Sequence, residues 1–345
     1  MSSTSNQASM TTNSRTAAAN WNLLGHEWAV DMLRQHIVQD KVRHAYLLTG
    51  PPGVGRRTLA LRFVQALNCT KTLQPGIPCG TCRDCKQIEA MQHPDLTVIQ
   101  AETEGGTLKV EQVREVRRSL TLKPYQSKYH AALFLRFQEA NDNAANALLK
   151  TLEEAPTYAV LILTADQAEG LLPTIASRCE VLRLRPAPLE ALEDFLKQHG
   201  ADDQQSHLIA HISEGRAGHA LWLYQNPSEL SSRDEKLNEL QSLLPATRAA
   251  RFAYGEKLAR DKEGLRRVVV LWLSFWRDVL LRAGGASTPI SNIDRTQFIE
   301  SLAGRIPLSA ARRIVADLEK SLRQLDANVN ARLLVEVLFL DWPKV

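Results

Sequence analysis

The chain has 345 residues, enough for two or three domains with sizeable buried cores. Its composition, 44% hydrophobic and 23% charged, is ordinary for a soluble globular protein, and a net charge of +4 suits work near nucleic acid without demanding it. The longest apolar stretch, Val268 to Trp276, is interrupted at Ser274 and closed by Arg277 and Asp278, too short to cross a bilayer, so no membrane partner is expected.

Residues 1–20 are rich in Ser, Thr, Ala and Asn, with Arg15 the only charge. Without an Arg series or an apolar block they read as a disordered tail rather than a transit peptide, and a cytoplasmic protein is expected. The spacing of Trp28, Met32, Leu33 and Ile37 predicts a helix over Glu27–Gln39. Ala45–Thr49 reads as a buried strand running into a Gly/Pro turn, followed by a helix over Thr58–Leu67. After a cysteine-rich insertion, strands are predicted at Leu96–Ile99, Ala131–Leu135, Ala159–Leu163 and Val181–Leu184, with helices over Val110–Leu122 and Ala144–Leu152. That alternation predicts an α/β fold with a mostly parallel sheet covered on both faces. Pro186 and Pro188 mark a boundary, beyond which the pattern is helical. The expected organisation is a tail (1–20), an α/β core (21–186) with a cysteine module (69–85), a helical lid (187–240) and a helical bundle (241–345). Leu189–His199 and Gln204–Ser213 are predicted helices of the lid, and Leu265–Leu281, Ser309–Leu325 and Arg332–Leu340 of the bundle.

Between the first strand and its helix lies Gly50-Pro51-Pro52-Gly53-Val54-Gly55-Arg56-Arg57-Thr58. A working phosphate loop has Gly, four residues, Gly, then Lys and Ser/Thr: glycines let the backbone wrap phosphates, and the helix N-terminus favours their charge. Gly50, Gly53 and Gly55 keep the frame, but Arg56 and Arg57 stand where Lys and Ser/Thr belong. Arg56 retains a positive charge, yet its planar guanidinium is no substitute for a compact ammonium between β- and γ-phosphates. Arg57 has no hydroxyl for Mg²⁺, and Thr58, one residue on, points about 100° away. The acidic pair that would hold Mg²⁺ at the end of the third strand is also missing, because Leu135 and Arg136 occupy those positions and Glu139 falls in the turn. Such a chain is not expected to hydrolyse ATP; whether it still binds nucleotide is left open.

Four of the five cysteines, Cys69, Cys79, Cys82 and Cys85, lie in one short insertion. Two-residue gaps let a loop offer thiolates to one tetrahedral ion, and Gly76, Pro78 and Gly80 permit the turns, so a structural zinc site is expected, with free or redox-active thiols as the rival. Cys179 stands apart and reads as a small buried residue. His93-Pro94-Asp95 reads as a turn before the second strand rather than a catalytic group. Arg114, Arg117, Arg118 and Lys123 lie on and after one helix and by themselves read as a solvated face.

Asn146 to Pro156 (NALLKTLEEAP), Leu172 to Cys179 (LPTIASRC), His44 to Pro51 (HAYLLTGP) and Asn328 to Leu334 (NVNARLL) resemble signatures of bacterial clamp-loader AAA+ subunits of DNA polymerase III. The resemblance covers about residues 22–340 and implies an AAA+ core, a lid and a C-terminal collar bundle. Within that family, the altered loop and missing acids resemble delta-prime-type subunits rather than ATP-hydrolysing gamma/tau types. Alignment on Ala220-Leu221 puts Gly218 where gamma-type lids carry a nucleotide-sensing Arg, with Arg216 two residues away as a possible substitute. A gamma/tau chain would also often continue past the bundle, whereas this one stops at Val345.

The resemblance further implies a five-subunit ring containing gamma/tau-type and delta subunits that loads a sliding clamp onto primed DNA. Only this resemblance, which places helices near DNA inside the ring, implies a DNA-facing surface at Arg114, Arg117, Arg118 and Lys123. In it, Arg178 of the Ser177-Arg178-Cys179 triplet would be an arginine finger supplied in trans to a gamma-type neighbour. The alternative is an active gamma/tau-like ATPase using Arg56 and a substitute acid. A zinc-dependent nucleic-acid binder unrelated to replication is the third reading; it predicts tight, salt-sensitive DNA binding by the isolated chain.

Overall fold

The computed structural model describes residues 21–343 except Leu73, Glu104, Asn328 and Asp341, together with the side chain of Asp326. The tail expected over residues 1–20 lies outside the described residues. Backbone contacts divide the chain into two compact units, one running to Ala191 and including Arg216–His219, the other holding Leu192–Gly215 and Ala220 onward.

The first unit is the α/β core. In chain order it contains α1 (Glu27–Val38), β1 (Ala45–Thr49), α2 (Arg56–Asn68), α3 (Arg83–Glu89), β2 (Leu96–Ile99), α4 (Val110–Leu120), β3 (His130–Phe134), α5 (Asp142–Glu153), β4 (Ala159–Ala165), α6 (Pro173–Ala176) and β5 (Glu180–Arg183). The five strands form one parallel sheet in the order β2-β3-β4-β1-β5, with Tyr46 opposite both Ile162 and Glu180. The sheet is wholly parallel, as the alternation of strands and helices predicts. Strands alternate their side chains between faces, and here both faces are buried. Tyr46 and Leu48 pack with Leu33, Leu59 and Phe63, whereas Ala45 and Leu47 pack with Phe134, Leu148 and Leu163.

Local chemistry moves some boundaries. β3 ends at Phe134, one residue earlier than its spacing predicts, because the backbone at Arg136 turns left-handed with φ 51. The N–H of Arg136 then donates to Thr164 Oγ1 at 2.9 Å. α5 starts two residues early because the Asn141 side chain caps it, accepting from the Ala144 N–H at 2.8 Å. α3 and α6, of 7 and 4 residues, are too short to show a helical period.

Beyond the sheet the chain is helical: α7 (Leu189–Gln198), α8 (Asp203–Ser213), α9 (Ala217–Gln225), α10 (Pro227–Leu243), α11 (Arg248–Leu258), α12 (Lys262–Ala283), α13 (Thr296–Arg305), α14 (Leu308–Asp326) and α15 (Ala331–Leu340). α12 is the hub of the second unit. Its Leu265, Val268, Val269, Trp272, Phe275, Trp276 and Val279 recur at helical spacing and are all buried, mainly against α13 and α14. Arg251 is buried beside them, with its guanidinium donating to the carbonyls of Leu243, Leu244, Trp342 and Pro343. With the Phe339 carbonyl as a longer contact at 3.5 Å, five acceptors satisfy a charge that would otherwise be costly to bury. Among the described residues no helix is long and apolar enough to cross a membrane.

Candidate functional site

The loop expected to follow a phosphate-loop path lies between β1 and α2. Gly50, Gly53 and Gly55 all take positive φ (147, 82 and 114), which side-chain-bearing residues rarely adopt. What surrounds that path differs from an open cradle. The Gly53 carbonyl accepts from the Gly218 N–H at 2.8 Å, and a Cβ at residue 218 would lie 2.9 Å from that same oxygen. A Cβ on Gly53 would meet that of His219 at 2.9 Å, so two glycines allow this close approach. His26 Nε2 donates to the Val54 carbonyl at 2.9 Å, tying α1 to the loop. Beside His26 a cavity of about 480 Å³ is lined in part by Trp28, Arg183 and Arg185.

Arg56 is only 8% exposed, and its Nη1 donates to Asp166 Oδ1 at 2.7 Å. Asp166 directly follows β4, and its carbonyl also accepts from the Gly50 N–H at 3.1 Å. The cation at the lysine position thus already has an anion from its own chain. Arg57 and Thr58 are exposed.

At the end of β3, the Arg136 Nε donates to Glu139 Oε1 at 2.8 Å, and the Gly105 N–H donates to the same oxygen at 2.9 Å. Glu139, the acid nearest the metal-holding positions, is therefore engaged by a cation and a backbone donor. Leu135 is buried and has no side-chain oxygen.

Arg178 follows α6 and is partly exposed. Its Nη2 donates to Glu153 Oε1 at 2.6 Å and its Nη1 to the Thr174 carbonyl at 3.0 Å. Burial pushes the neighbouring Cys179 thiol up to about 12, so it is a neutral packing group at neutral pH.

The cysteine module brings its four sulfurs together, all within 4.8 Å of one another. Cys69 and Cys82, and Cys79 and Cys85, are each 4.0 Å apart between sulfurs. Tetrahedral Zn–S bonds of about 2.3 Å would set sulfurs about 3.8 Å apart, so this donor set fits a four-thiolate site. The backbone N–H groups of Cys79, Cys82 and Cys85 donate to the sulfurs of Cys69, Cys79 and Cys82, at 3.3, 3.3 and 3.4 Å. Burial opposes ionisation of Cys79, but the N–H donors of Cys82 and Thr81 outweigh it and bring that thiol down to about 6. Cys85, fully buried, is pushed up by its burial.

His93 and Asp95 hold the turn before β2. The Asp95 carboxylate accepts the N–H groups of Tyr125, Gln126 and Ser127; burial pulls the other way, but these donors hold it below its ordinary range. His93 Nδ1 accepts from the Asp95 N–H at 3.1 Å. Arg114, Arg117, Arg118 and Lys123 are all exposed. Sequence reasoning missed Asp166 and the partnership of Glu153, since neither sits at a diagnostic spacing from its arginine. It also missed Glu193, His207 and His211, whose potential ligand atoms lie within 4.8 Å of one another on α7 and α8.

Comparison with known proteins gives two family matches. One described as DNA polymerase III, delta subunit, covers residues 25–188, and one described as its C-terminal part covers residues 227–344. The chain is 30% identical over 315 residues to DNA polymerase III subunit delta' of Bacillus subtilis (strain 168), spanning 90% of this chain and 93% of that protein. It is 30% identical over 304 residues to subunit delta' of Escherichia coli (strain K12), spanning 86% and 88%. With DNA polymerase III subunit tau of the same organism, identity is 30% over 207 residues, 58% of this chain and 32% of that protein.

Proposed function

This chain belongs to the delta-prime family of DNA polymerase III subunits, and on that premise we propose that it is a clamp-loader subunit whose own ATP site is silent and whose Arg178 serves a gamma-type neighbour. The observation that carries the silent-site reading is the Arg56–Asp166 contact at 2.7 Å. An internal carboxylate holds the guanidinium where a polyphosphate would need a cation. Three further features support it: no acid at Leu135 or Arg136, Glu139 engaged by Arg136, and glycine rather than a sensing arginine at Gly218.

In this reading Gly50, Gly53, Gly55 and Arg56 are a vestigial phosphate loop. Gamma/tau-type and delta subunits are the ring partners, and a sliding clamp and primed DNA are engaged through the complex in the cytoplasm. Residues 187–240 serve as the lid and 241–345 as the collar. Cys69, Cys79, Cys82 and Cys85 hold a structural Zn²⁺, which when bound supplies a cross-link. With four protein ligands it leaves no open position for an activated water. The Cys85 carbonyl accepts from Gln65 Nε2 at 2.7 Å, so the module braces α2, the helix that begins at the loop.

The test is reconstitution. Clamp loading onto primed DNA by gamma-type and delta subunits is expected to fall at least about tenfold when this chain is omitted and to recover when it is added back. Loading that proceeds equally well without it contradicts the assignment.

A further inference from the structure

We infer that Glu153 is the positioning residue of Arg178, presetting the guanidinium for its neighbour; the inference rests on the trans-acting reading of Arg178. Glu153 closes α5 and lies in the NALLKTLEEAP segment, which the silent loop and the finger leave without a role. Its carboxylate takes Nη2 at 2.6 Å while the Thr174 carbonyl on α6 takes Nη1 at 3.0 Å. Two acceptors from separate elements hold both terminal nitrogens, which fixes the plane of a rigid fork. Of the five N–H donors in a guanidinium, these two contacts use two and leave three for an anion.

The exposure of the pair argues that its main role is not in folding. The Arg178 and Glu153 side chains are 37% and 51% exposed, a range in which ion pairs contribute little to stability. What the contact removes is the freedom of a long side chain, which would otherwise be lost when Arg178 docks on a nucleotide. Arg183 offers a contrast. It meets Glu169 through a single contact at 3.0 Å with both side chains about two-thirds exposed, so its plane is not fixed in this way.

The experiment uses the reconstituted loader with clamp and primed DNA, following phosphate release in a single turnover. Arg178→Ala identifies the phase that depends on the finger. Glu153→Ala is expected to slow that same phase about three- to tenfold. Ring assembly and the ATP concentration for half-maximal burst should stay within about twofold. Glu153→Gln keeps an acceptor oxygen at the same reach and should restore at least half of the lost rate. The double variant should match Arg178→Ala alone. If Arg178→Ala slows the phase while Glu153→Ala runs at the parental rate or faster, this inference is overturned and the finger stands. The inference is overturned equally if the Glu153→Ala effect persists undiminished without Arg178. If Arg178→Ala changes nothing, both readings fall.

Discussion

Arg178→Ala in the reconstituted loader is expected to slow one phase of DNA-stimulated phosphate release by on the order of 10³, with the other phases retained. A guanidinium against the γ-phosphate offsets charge that develops in the transition state, and little else at an intersubunit site can replace it. Total steady-state turnover should fall mainly by that one site's share, so transient kinetics is the informative measurement. The chain itself should be nearly indifferent. The Arg178–Glu153 pair is partly exposed, and removing it should cost no more than about 1 kcal/mol of stability. Normal assembly and melting combined with loss of one phase is therefore the expected signature. Arg178→Lys should recover only part of the rate, because a lysine keeps the charge but not the fork.

The second large effect concerns the cysteine module. Cys85→Ser is expected to release the metal and lower stability by about 3–5 kcal/mol, on the order of 10 °C in melting temperature for a unit of this size. Two physical losses add up. Three remaining thiols no longer form a closed tetrahedral set, and Cys85 is fully buried, so a serine hydroxyl there is a buried polar group without a metal partner. The damage should extend to the loop. α3 is tied to α2 through Gln65, which donates to both the Cys85 carbonyl and Glu89, and through Arg62 with Glu89. Metal analysis of the purified protein should find one zinc per chain in the parent and none in the variant. An unchanged melting temperature after thorough chelation would contradict a structural zinc.

Much of the core was readable because its signals are local. Five short apolar runs became five strands, with β1 and β2 at their predicted bounds, since strands buried on both faces leave few polar interruptions. The four-cysteine cluster was readable for the same reason: its ligands lie within one insertion, and their spacing limits how they can meet. Helices α9, α10, α11 and α13 were seen only as helical territory; the limits of α10, α11 and α13 depend on packing against α12 rather than on periodicity alone.

The hidden part is in the partners. Arg56 was visible as a misplaced arginine, but Asp166 is 110 residues away and nothing in the loop announces it. Glu153 and Arg178 both sit in readable motifs, yet the contact across 25 residues exists only because α5 and α6 fold side by side. Gly218 was identified as lacking a sensing side chain. The structure adds that its hydrogen bond to the Gly53 carbonyl is a close approach that a Cβ at residue 218 would obstruct.

On the proposed reading this chain keeps the frame of an ATP site without turning ATP over, so ATP hydrolysis by the purified full-length chain is the decisive measurement. The expected result is a rate no higher than that of its Gly55→Val variant, with or without primed DNA. Turnover comparable to that of a gamma-type subunit, abolished by Gly55→Val, would contradict the claim and make Arg56 a working member of an active site.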